Sequence, residues 1–234
     1  MGWGVEADEA FPRGIADRTG LKVLNAGIPS YATARELELL RGLDRGQLRW
    51  LVVQYSANGI SENNRALNDG DITRLTRGQY EAIAGYVEQR RGYYPGKHSV
   101  ELIWTAFDPG RELPMVPSHD RLTRPPLEHA TTWWQLMEPE VRSMPGVGVI
   151  VVVTGSRPKV VARIADAMRD LRDAAAPDSP LARVAVVDSA GLLSAQDHFI
   201  LDDHLRPSGH AKIAAAIAER IGTVNERVPA TAIR

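Results

Sequence analysis

Seven consecutive residues, Val147-Gly148-Val149-Ile150-Val151-Val152-Val153, limit what this chain can fold into more than any other stretch. The run is almost wholly β-branched and has no polar alternation, so it reads as a strand buried on both faces. A strand covered twice belongs to a parallel sheet, and parallel strands need crossover helices to connect them. Strand patterns recur at Leu48 to Tyr55 and Arg183 to Val187, with a brief apolar strand at Leu21 to Leu24 and a weakly alternating one at Val100 to Phe107.

Helical patterns fall between these strands. Phe11, Ile15 and Ala16 suggest a short helix stopped by Gly20, and Thr33-Ala34-Arg35-Glu36 reads as a capping box leading to Leu37 and Leu40. Thr76 with Gln79 caps a further helix whose inner face is Tyr80, Ile83, Ala84 and Val87. Leu127 to Met144 is helical, with Pro139 marking a kink or break. Pro158 opens a helix that turns Val160, Val161, Ile164, Met168 and Leu171 inward. Pro207 and Ser208, the serine as N-cap, start a last helix with Ile213, Ile217 and Ile221 on one face. The expected fold is α/β, a layered sandwich around a mostly parallel sheet. It forms one domain over residues 1–234, with a proline-rich surface excursion around 108–126.

Composition narrows the function. The 234 residues are 44% hydrophobic with a net charge of −1, which does not favour nucleic acid or an anionic membrane as a partner. There is no cysteine, hence no disulfide, thiolate metal site or cysteine nucleophile. No apolar run is long enough to span a bilayer, and Met1 to Glu6 does not read as a signal peptide, which leaves localisation open.

In an open parallel sheet the chemistry gathers beyond the carboxyl ends of the strands. Three loops qualify: Asn25 to Ser30, Ser56 to Asn58, and Asp202 to His204. A proton-carrying histidine needs a carboxylate to fix its tautomer, and Asp202 stands two residues before His204. Asn58 could offer a side-chain N–H to an oxyanion, and the turn at Gly27 to Ser30 a backbone N–H. Taken singly, each feature has a plainer reading. Asn58 is a turn residue, His204 a surface histidine and His210 a structural one. Trp133 and Trp134 are a helix pair with one ring buried and the other half-exposed. A metal reading of His198, Asp202, Asp203, His204 and His210 ranks below the triad.

Four blocks in order, Gly2-Trp3-Gly4-Val5-Glu6, Val23-Leu24-Asn25-Ala26-Gly27-Ile28-Pro29-Ser30-Tyr31, Asn58, and Asp202-Asp203-His204-Leu205-Arg206-Pro207-Ser208-Gly209-His210, resemble the SGNH (GDSL-type) hydrolases over nearly the whole chain. The resemblance implies a flavodoxin-like three-layer α/β/α sandwich and ester hydrolysis or acyl transfer without a cofactor or metal. The implied substrate is a small-molecule, carbohydrate or lipid ester. It gives His204 the role of base, Asp202 that of its acidic partner, and Asn58 and the Ser30 N–H those of oxyanion donors. Ser30 replaces the family's usual glycine, and Gly59 replaces the aspartate that commonly follows the asparagine. The family's first strand and its Gly-Asp-Ser nucleophile do not appear before Gly2, so the serine is expected upstream of Met1. The alternatives are a non-catalytic relative that binds an acylated ligand, and a nucleophile relocated to Ser30, Ser56 or Ser61. No Gly-x-Ser-x-Gly elbow occurs anywhere in the chain.

Overall fold

The computed structural model describes residues 4–29, 31–70, 124–155, 157–199 and 204–225, with isolated positions between 77 and 107. Three strands, β1 (Trp50–Ser56), β2 (Gly148–Thr154) and β3 (Val184–Asp188), form a sheet in the order β1-β2-β3. All are parallel, with Trp50 opposite Gly148 and Val149 opposite Val184. Gly148 is required where it stands, because a Cβ there would lie 2.4 Å from the Trp50 ring. The run that singled out β2 in the sequence is sealed: Val149 to Val153 are at most 1% exposed. Burying each such side chain contributes roughly 1.5–3 kcal/mol, which makes β2 the axis of the core.

Helices cover both faces. On one, α2 (Thr33–Arg41), α4 (Pro126–Ser143) and α5 (Pro158–Asp173) pack against Val53, Tyr55, Val149, Val151, Val153 and Val186. On the other, α1 (Phe11–Thr19) and α6 (Pro207–Asn225) pack against Ile150, Val152 and Val187. Alternate β2 residues thus feed two separate cores, as the pleat requires. The α/β layered class is as expected, and α3 (Ile60–Asp69) follows β1 after one short turn.

Several local expectations are corrected. Leu21 to Leu24 joins no ladder among the described residues, and Leu24 is 72% exposed. Among Val100 to Phe107 the described positions Val100, Leu102, Ile103 and Phe107 are helical rather than a strand. Pro139 does not end α4: it and Gln135 are both exposed, so water can satisfy the carbonyl that the missing N–H would have met.

The capping box at Thr33 is absent too. α2 has Ala32 at its N-cap, and the buried Asn63 of α3 supplies the cap by accepting the Ala34 N–H at 3.1 Å. The helix expected from Thr76 lies largely outside the described residues, as does most of the 108–126 excursion.

α1 and α6 lie side by side and start together, with the Phe11 N–H donating to His210 Nδ1 at 3.3 Å. Their approach depends on Gly14, where a Cβ would come within 2.8 Å of the Ala214 methyl. Gly14→Ala should therefore destabilise the fold by about 1–3 kcal/mol despite alanine's higher helix propensity, read as a lower urea midpoint at unchanged slope.

Candidate functional site at the carboxyl end of the sheet

The three strands end at Ser56, Thr154 and Asp188; Asn58 follows β1 directly, and His204 lies in the connection between β3 and α6. After β1 the chain makes a 3-10 turn, Ala57–Gly59, that leaves Asn58 exposed. This turn sits on the start of α2. A Cβ on Gly59 would be 3.0 Å from the Ala32 Cβ, so a residue with a side chain would push the two loops apart. Glycine here serves close approach. The Asn58 turn thereby meets the chain two residues beyond Ser30, and Ser30 itself lies outside the described residues. The preceding loop is braced by an Asx turn in which Asn25 Oδ1 accepts the Gly27 N–H at 3.2 Å.

The two loops are tied a second time through Arg35, which pairs with Glu62 of α3. Glu36, next to it, is held differently. Its Oε2 is buried without a hydrogen bond, and burial pushes its pKa up to about 7. A carboxyl with a raised folded pKa destabilises the fold as pH rises from its unfolded value of about 4.3 through 7. Glu36→Gln should accordingly raise stability at pH 8, by up to about 3 kcal/mol, with little effect at pH 4. Chemical denaturation at the two pH values checks this.

The loop bearing His204 is built around Asp197, which the sequence reading did not single out. Its buried carboxylate accepts from the Ser194 N–H and Oγ–H at 2.8 and 2.9 Å, from Ser208 Oγ–H at 2.8 Å, and from Lys212 Nζ at 2.6 Å. Ser208 is thus a strut from α6 to this carboxylate. The Ser194-x-x-Asp197 capping box was the legible signal. The Asp197 carbonyl accepts the Arg206 N–H at 2.8 Å, and Gly209 is needed because a Cβ would stand 2.8 Å from that same oxygen.

His204 is half-buried on the returning arm of a short hairpin. An antiparallel bridge joins His198 to Leu205, and the Phe199 N–H donates to the His204 carbonyl at 3.0 Å. The carbonyl of His204 and the residue after it are therefore tied to the opposite arm. Asp202 and Asp203 lie outside the described residues.

His210 serves the scaffold. Its ring stacks on Phe11 at 5.9 Å, its Nδ1 accepts from α1, and burial pushes its pKa down to about 4. Among the described residues no group of three or more His, Asp or Glu could hold a metal ion. No helix among them is long and apolar enough to cross a membrane. Trp133 is buried in the core and Trp134 half-buried beside it, 6.4 Å between rings.

The front of the chain reaches the same loop. Gly4, at φ 82°, lies so close to Phe199 that a Cβ would be 2.9 Å from its ring. Two corners are therefore assembled at the carboxyl end: the Asn58 turn with the loop after Ser30, and the His204 hairpin with Gly4. Comparison with protein-family models, with curated proteins and with solved structures gives no match to this chain.

Lys212, Ser208 and the Ser194 amide hold the Asp197 carboxyl well below the usual carboxylate range. A depressed carboxylate lends stability above its unfolded pKa, and that stability is lost as pH falls through the folded one. Asp197→Asn should cost about 1.5–3 kcal/mol at pH 7 and flatten the acid limb of the stability profile, as measured by urea unfolding between pH 3 and 7.

Proposed function

We propose that this chain is the body of an ester hydrolase of the SGNH type, with a flavodoxin-like sandwich, acting on an O-acyl or acetyl ester of a small molecule, carbohydrate or lipid. The observation that carries the reading is the contact of Gly4 with Phe199, whose N–H holds the His204 carbonyl. A serine borne a few residues upstream of Gly4 would enter beside the histidine hairpin. The ordered blocks of the sequence and the seating of the Asn58 turn on the start of α2 support the same reading.

In this mechanism the upstream serine attacks the ester carbonyl while the His204 imidazole takes its proton. Asp202 stabilises the imidazolium. The carbonyl oxygen, now an oxyanion, is met by the Asn58 carboxamide and the Ser30 backbone N–H. Collapse expels the alcohol, which takes its proton from His204, and leaves an acyl-serine. Water, deprotonated by His204, then releases the acid. Each oxyanion donor is worth about 3 kcal/mol of barrier. Gly59 supplies no carboxylate behind Asn58, and the turn is steadied by its contact with Ala32.

The test compares residues 1–234 with the same chain extended by the residues encoded upstream. The extended chain should be labelled by a fluorophosphonate and should hydrolyse p-nitrophenyl acetate. His204→Ala should abolish both, and Asn58→Ala should lower kcat by roughly 100-fold with an unchanged melting temperature. An extended chain that binds an acylated ligand but is never labelled would point to the non-catalytic alternative. Labelling of residues 1–234 themselves would overturn the upstream serine.

A further inference from the structure

Arg206 belongs to the last sequence block, and the mechanism above leaves it unused. It stands two residues after His204 and directly before α6. Its side chain is half-buried, yet among the described residues its guanidinium meets no carboxylate. Arg35, Arg45, Arg169 and Arg172 are also half-buried, and each of them is paired with one. The Asp197 carboxylate is taken up by Ser194, Ser208 and Lys212, and Arg206 reaches only its main-chain carbonyl, through its own N–H. The first turn of α6 offers no acidic residue either. What holds the guanidinium is a ring: its Cζ lies 5.8 Å from the centroid of Phe199. A cation over an aromatic face keeps its N–H donors uncommitted.

The register of the hairpin decides where that cation sits. The bridge from His198 to Leu205 is flanked by two bonds, Phe199 N–H to the His204 carbonyl and Arg206 N–H to the Asp197 carbonyl. Phe199 and His204 are therefore an opposed pair, and the side chains of an opposed pair leave a ladder on the same face. By lying over Phe199, the Arg206 guanidinium comes to the face that carries the imidazole. Gly4 rests on the same ring. This corner thus joins the proposed base, an aromatic floor and a cation with no counter-ion among the described residues.

We propose that Arg206 binds an anionic group, a carboxylate or a phosphate, carried by the alcohol portion of the ester. Both anions match the planar fork of a guanidinium, and partial burial strengthens the pairing. The inference rests on the proposed function, in which His204 returns a proton to the departing alcohol. A group held beside His204 accordingly belongs to the alcohol and not to the acyl chain. The substrate class narrows to O-acyl esters of acidic or phosphorylated sugars and polyols, and neutral esters are the poorer substrates. The alcohol keeps its charge after hydrolysis, so the same contact also binds the product.

Residues 1–234 suffice for the test, because binding is read without turnover. Glucuronate, glucose 6-phosphate and neutral glucose are titrated in turn, followed by calorimetry and by the imidazole resonances of His204. At least one of the two anions should saturate and shift the His204 ring, and glucose should do neither. Arg206→Gln keeps the main-chain bond to Asp197, so its melting temperature should hold while the Kd of the anion rises roughly 10- to 100-fold. Arg206→Lys separates the two sources: a point charge should recover phosphate binding, whereas a carboxylate gripped by the fork should stay weak. Saturation by neither anion overturns the proposal, as does glucose binding as tightly as the anions or a Kd unchanged in Arg206→Gln. Anion binding that Arg206→Gln removes, in a protein never labelled by a fluorophosphonate, upholds the anion site and sinks the hydrolase. Labelling without discrimination between the anions and glucose does the reverse.

Discussion

The burial of β2 on both faces is the constraint from which the rest follows. Five consecutive side chains without a polar atom cannot be half-solvated, so helices must lie above and below the sheet, and parallel connections supply them. The same pleat that sends Val149, Val151 and Val153 to one core sends Ile150 and Val152 to the other. Among the described residues the three parallel strands end on the same side. There the loops are free of packing duty, and reactive groups can stand without entering a core.

Much of this frame was legible because it depends on periodicity. β2, β3, α5 and α6 announce themselves through the spacing of branched residues, and Ile213, Ile217 and Ile221 are buried as their spacing requires. What was not legible depends on partners distant in sequence. Leu21 to Leu24 has strand composition, but a strand exists only where a neighbour accepts its hydrogen bonds. Thr33 has the spacing of a cap, yet Asn63, 29 residues from the Ala34 amide, occupies that role. Pro139 looks like a breaker until it is seen on the solvent side of α4, where a freed carbonyl costs little.

Around the candidate site the division runs the other way. The loop 202–210 was conspicuous in sequence, but its chemistry and its architecture are interleaved residue by residue. Ser208, Gly209 and His210 hold the loop to Asp197 and to α1. A neutral, buried His210 with its Nδ1 already accepting a hydrogen bond is poorly suited to carrying protons. His204 has its backbone pinned and its side chain only half-buried. Spacing from Asp202 already set His204 apart from His210 in the sequence, and burial separates them further.

Asp197 accounts for the stiffness of the loop that carries His204. A histidine that must meet a nucleophile within a few tenths of an ångström cannot ride on a mobile segment. Here the stiffness is supplied by the buried Asp197 carboxylate, which has no role in the proposed mechanism. It accepts four hydrogen bonds from three residues and faces away from solvent. Its charge is balanced by Lys212 one helical turn into α6, so the hairpin is tied to the helix that is in turn locked to α1. Disturbing Asp197 would therefore act on His204 through its backbone position. That separates Asp197 from the carboxylate the proposed mechanism uses.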